Sequence, residues 1–281
     1  MKKIYTTLIF LRNRIGKKGQ MISYSCLLLG LIPMFYAFLN LVGVKTDEEV
    51  GTFLIYRRQS LIGEESFSIS KDGNETIVWS LQGENERGRI TGVQAILRLN
   101  EDFTPVLYEN KRISNSDTVT QLKIFSKDHL LSIQEVNQKE VNTQKPDLFF
   151  PVHSNIPAAV EWMLYQYYFE KGKPKNIKTF PRGEVSIRQS GTDSIPLDGK
   201  MEILNRFVVE GINWGGRTVW LNQSNELIAI VKANTQIREV IRKGYEHALP
   251  VFVQGNIKEQ MAALKQYTLS NKRELPKYTA L

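Results

Sequence analysis

From Met21 to Val44 the chain runs for 24 residues without a charged side chain. As a helix this stretch rises roughly 30 Å or more, enough to cross the hydrocarbon core of a bilayer. Lys2, Lys3, Arg12, Arg14, Lys17 and Lys18 precede it with no acid among them, and Asp47, Glu48 and Glu49 follow it. By the positive-inside rule the basic flank, residues 1–20, stays in the cytoplasm and everything after Lys45 lies outside. The expected topology is single-pass, N-terminus in and C-terminus out. A cleaved signal peptide is the competing reading, although no A-x-A site follows the run.

The same segment accounts for the basic character of the chain. There are 37 Lys and Arg against 29 Asp and Glu, and without the six bases of the flank 31 remain against 29. The outer part is close to neutral, so nothing suggests the clustered basic surface that nucleic acid requires. The single cysteine, Cys26, lies in the apolar segment, which leaves the outer part without disulfides or a thiolate zinc site. About 235 residues are ample for a domain stabilised by its own core. The expected organisation is a flank at 1–20, an anchor or signal at 21–44, a β-rich domain at 45–270 and a polar tail at 271–281.

Alternation dominates the outer part. Strands are expected at Thr52–Ser60, Ile62–Ser70, Glu75–Gln82, Ile90–Leu99, Thr104–Arg112, Thr118–Phe125 and Leu130–Val136, with the Lys71–Asn74 turn between the second and third. A second set follows at Glu184–Gln189, Met201–Glu210, Arg217–Leu221 and Glu226–Ala233. About eleven strands rarely form a flat open sheet, so the expected fold is mainly β, a large curved antiparallel sheet of half-barrel or barrel-like form with two helices. Pro157–Phe169 carries Val160, Met163, Leu164, Tyr167 and Tyr168 at helical spacing, with Trp162, Tyr165 and Phe169 on its other flank. A helix apolar nearly all round is buried on more than one side, which places it across the concave face or open end of the sheet. The last helix is expected at Ile257–Leu269, with Asn256 and Glu259 as its capping pair.

The blocks PVHSNIPAAVEWMLYQYY (Pro151–Tyr168), KGKP (Lys171–Pro174), PRGEV (Pro181–Val185), EGINWGGRTVWL (Glu210–Leu221) and GYEHALP (Gly244–Pro250) resemble the β-rich region that precedes the catalytic barrel in exported bacterial amidohydrolase-family proteins. The long meander is more loosely similar to the curved sheets of lipoprotein carriers, which enclose apolar ligands. The resemblance implies an inner-membrane or exported bacterial protein with a periplasmic or extracellular domain. It also implies a hydrolase partner, or a split or truncated family member. The chain ends near where the barrel would begin, so the family's metal ligands have no counterpart and its activity does not transfer.

Motifs for chemistry are missing. There is no H-x-H, H-E-x-x-H, G-x-S-x-G or Walker loop, and neither a cofactor nor a metal site is implied. Of the three histidines, His129 reads as a turn residue and His247 as a packing residue. His153 stands two turns before Glu161, and the two would form an acid/base pair if both faced a cavity. A helix-entry histidine with a local hydrogen bond is the weightier reading. Around Gly215 and Gly216, Trp214 and Arg217 would read a carboxylate or sugar if the glycines form a bulge, although a hairpin turn explains the same pattern. The expected function is binding without catalysis. Trp162, Tyr165, Tyr168 and Phe169 would line the concave face for an apolar ligand or a partner's apolar element, unless those rings simply fill the core.

Overall fold

The computed structural model describes residues 48–86, 88–114, 117–152, 156–212, 216–232 and 238–272. The apolar segment 21–44, His153, Trp214 and the tail from residue 273 lie outside them. Among the described residues no helix is long and apolar enough to cross a membrane.

The described residues build one curved open sheet of 15 strands in two meanders. The first comprises β1 (Glu49–Arg57), β2 (Ser60–Asp72), β3 (Glu75–Glu86), β4 (Arg89–Leu99), β5 (Pro105–Ser114), β6 (Asp117–Lys127), β7 (Leu130–Glu135) and β8 (Val141–Gln144). The second comprises β9 (Phe149–Pro151), β10 (Ile177–Phe180), β11 (Glu184–Leu197), β12 (Lys200–Glu210), β13 (Arg217–Leu221), β14 (Leu227–Lys232) and β15 (Arg238–Arg242). The order β8-β7-β6-β5-β4-β3-β2-β1-β15-β14-β13-β12-β11-β10-β9 joins the meanders where β1 pairs with β15. Among the described residues every pairing is antiparallel except β9 with β10. Parallel neighbours require a crossover, and α1 (Ala158–Glu170) provides it. The sheet curls far enough for β9 to pack against β5.

The first meander alternates because only its concave face is covered. Ile69, Val78, Leu97, Tyr108 and Ile124 align across β2 to β6 and point inward. The second meander is covered on both faces. Its concave side shares one core with α1, and its convex side packs Trp220, Ile228, Val231 and Ile241 against Phe252 of α2 (Leu249–Lys272). All five residues of β13 and all six of β14 are buried, which explains the unbroken apolar run LIAIV.

Several boundaries differ from those expected. The expected strand Thr52–Ser60 turns at Arg58 and Gln59, whose φ angles of 49° and 64° form a tight turn without the usual glycine or asparagine. Strands β8, β9, β10 and β15 had no counterpart in the pattern, three of them being only three or four residues long. The last helix starts at Leu249, eight residues before Ile257, with Pro250 tolerated in its first turn. Asn256 and Glu259 are therefore interior. Asn256 Oδ1 accepts from Thr218 Oγ1 at 3.0 Å, and Glu259 accepts from Arg206 Nε at 3.0 Å. Asn271 and Lys272 close this helix instead of opening the expected tail.

Candidate functional site

The concave face changes chemistry along the strands. In β3 the inward side chains run Val78, Ser80, Gln82, Glu84, and in β4 they run Leu99, Leu97, Ala95, Val93, Thr91. One end of the cup is apolar and the other polar. Where the two meanders join, the polar end carries Arg217, Lys232, Arg238 and Arg57 side by side across β13, β14, β15 and β1, each paired in register with the next. Facing them from the first meander are Glu65 on β2 and Glu84 on β3.

Helix α1 fills the apolar end. Its N-cap, Pro157, has no side-chain acceptor, and Glu65 supplies one from across the fold. One Glu65 oxygen accepts from the Ala158 N–H at 2.7 Å, and the other from the Ala159 N–H at 2.9 Å and Ser80 Oγ at 2.9 Å. A carboxylate at a helix N-terminus satisfies orphan donors and complements the dipole. Burial nevertheless pushes the Glu65 carboxyl above its ordinary pKa, against the lowering effect of these bonds and of Lys232.

Trp162, Tyr165 and Tyr168 are buried in the core, and Phe169 is partly buried against Phe207 at 5.8 Å. Trp162 meets Phe67 edge-on at 6.0 Å and donates from Nε1 to the Asn225 carbonyl at 2.9 Å. Glu161 and Arg217, assigned from sequence to two different candidate sites, form one ion pair with 0% and 1% of their side chains exposed. Tyr165 donates its hydroxyl to the other Glu161 oxygen at 2.6 Å, and burial, with Glu161 beside it, drives the phenol well above its ordinary pKa. His247 is exposed, with Nε2 lying 2.5 Å from the Pro196 carbonyl oxygen. No group of three or more His, Cys, Asp or Glu positioned for a metal ion exists among the described residues.

Beside α1 the polar end of the cup stays open. A cavity of about 220 Å³ is lined by Gln82, Glu84, Thr91, Val93, Asn110, Arg112, Gln121 and Arg238. Gln82 and Asn110 are buried, at 7% and 2% exposure. Glu84 Oε1 is engaged twice, by Gln82 Nε2 at 2.5 Å and by Arg238 Nη2, while Arg238 Nε is buried without a hydrogen-bond partner. Asn110 Nδ2 donates to the Tyr108 hydroxyl at 3.1 Å. Arg112 reaches the cavity with no ion pair among the described residues. Sequence reasoning missed this site because its residues come from five strands and no two share a motif. The available signal was the drift of the inward positions from apolar to polar along β3.

No family model and no curated protein matches the chain. Among solved structures, a β-barrel-like protein of a domain of unknown function from Brucella abortus is similar over 70% of this chain and 95% of its own, at 12% identity and a TM-score of 0.47.

Proposed function

We propose that this chain is a non-catalytic binding domain, carried outside the cytoplasm by residues 21–44, that holds a small polar ligand in the open end of its curved sheet. The observation that carries this reading is the division of the concave face. Helix α1 occupies the apolar end, and the polar end keeps a cavity of about 220 Å³ whose walls present amides, a hydroxyl, a carboxylate and guanidinium groups. Ligand sites combine such a preformed concavity with a few convergent polar groups. An apolar ligand would have to enter where Trp162, Tyr165 and Tyr168 already pack.

Native mass spectrometry of the detergent-solubilised full chain, after exposure to a panel of small neutral and charged polar metabolites, tests the reading. Thr91→Trp places an indole in the cavity wall. Retention by the wild type and loss in a folded Thr91→Trp variant is the expected outcome. If no panel member is retained, or Thr91→Trp retains it equally, the cavity is not a ligand site.

A further inference from the structure

The polar end of the cup carries more like charge than a β-sheet ordinarily tolerates. Arg217, Lys232, Arg238 and Arg57 are nearest cross-strand neighbours on one face, and like charges directly opposite one another destabilise a sheet. The carboxylates nearest Arg217, Lys232 and Arg238 are already committed. Glu161 is engaged with Arg217, Glu84 with Arg238, and Glu65 is spent on the N-terminus of α1. Lys232 is 8% exposed and makes no hydrogen bond or ion pair among the described residues. Across the cavity Arg112 adds a further cation, and the buried Nε of Arg238 has no acceptor. The cavity wall contains one carboxylate, Glu84, already ion-paired with Arg238 and hydrogen-bonded by Gln82. The remaining wall groups, Gln82, Asn110, Gln121 and Thr91, can all donate.

Building on the binding function proposed above, we infer that the cavity takes a ligand through an oxyanion, a carboxylate or phosphate group held between Arg112 and Arg238, the member of the cationic row that lines the cavity. Arg112 offers a guanidinium fork suited to such a group, and Arg238 faces it with a guanidinium whose Nη2 already holds Glu84. The charge environment supplies a signature that a neutral ligand would lack. Lys232 is packed among Arg217 of β13, Arg238 of β15, Glu161 of α1 and Glu65 of β2, and burial together with the two arginines lowers its pKa to about 7. An anion arriving beside this row raises that pKa again. Just above neutral pH the ligand therefore binds with uptake of a proton, and the proton goes to Lys232.

Isothermal titration of the full chain with inorganic phosphate and with succinate, in buffers of differing ionisation enthalpy and against a sodium chloride control, tests the inference. Saturable binding of either oxyanion with proton uptake is expected, and which of the two binds tells phosphate from carboxylate. Arg112→Gln weakens binding by about tenfold or more. Lys232→Met keeps binding but abolishes the proton uptake. Absence of saturable binding by both anions overturns the inference, as does proton uptake that persists in Lys232→Met. If neutral metabolites bind the wild type but not Thr91→Trp while both anions fail, the binding function stands and the oxyanion assignment falls.

Discussion

The Arg217 guanidinium donates to the Glu161 carboxylate inside the cup, joining the start of β13 to the first turn of α1 with both side chains removed from solvent. The Tyr165 hydroxyl, one helical turn on, completes the carboxylate's shell. This pair fixes the rotation of the plug against the second meander, while Glu65 fixes the helix's N-terminus against the first.

Breaking the pair on one side strands a buried charge. Glu161→Gln should destabilise the fold by about 3–5 kcal/mol, and the double variant Glu161→Gln/Arg217→Met should recover much of that loss. Urea unfolding of the wild type, Glu161→Gln, Arg217→Met and the double variant measures the coupling, and additive losses would show that the pair is not a unit.

Glu65→Ala removes the acceptor of two helix N–H groups and of Ser80 Oγ, and should cost about 2–4 kcal/mol. The pH dependence carries a sign. The folded-state pKa of Glu65 is raised above 4.5 by burial, so its contribution is fully present below 4.5 and is lost as pH rises through the folded value. Glu65→Gln should flatten the stability profile in the window that opens above pH 4.5. An unchanged profile would assign the slope to another group.

Lys232 titrates in the opposite sense. Its folded-state pKa, about 7, lies below the ordinary 10.5, so between these values the unfolded chain holds a proton that the folded chain lacks. Stability from this group therefore rises with pH through that window, by at most about 1.4 kcal/mol per unit. Thermal unfolding between about pH 7 and 9.5 should show the rise in the wild type and its loss in Lys232→Met. An equal slope in both would mean that Lys232 is not the titrating group.

Gly255 lets α2 lie against the sheet. A Cβ there would stand 2.7 Å from Trp220 Cζ2 and 3.4 Å from Arg206 Nη1. Trp220 is pinned by its Nε1 bond to Asp193 at 2.8 Å, and Arg206 is held between Asp193 and Glu259, so neither can yield cheaply. Gly255→Val should cost about 2–3 kcal/mol and weaken the near-ultraviolet dichroism of Trp220. A variant as stable as wild type would show that α2 shifts freely on its strands.

The character of the fold was legible wherever periodicity operates over a long stretch. The alternation in Glu75–Gln82 and Ile90–Leu99 marked strands covered on one face, and the all-round apolar surface of Val160 to Phe169 marked a helix enclosed by the sheet. Strands of three or four residues, such as Phe149–Pro151 and Ile177–Phe180, complete too few alternations to stand out. Their pairing is parallel and depends on where α1 sets them down. Helix α2 was read too short because Pro250 and Gly255 signal a break, whereas the fold uses one as a first-turn residue and the other as a contact with Trp220.

By itself the sequence determined the long strands, the nature of α1 and the separation of an uncharged segment from a nearly neutral outer part, because each is a local property of composition or period. Only the tertiary structure decided what the polar residues do. Arg217 meets Glu161 across 56 residues, and Arg238 meets Glu84 across 154, because the sheet curls and joins its two meanders at β1 and β15. The polar cavity exists for the same reason. Its walls belong to strands that are distant in the chain, and the α1 plug leaves uncovered the one end where their inward side chains have turned from apolar to polar.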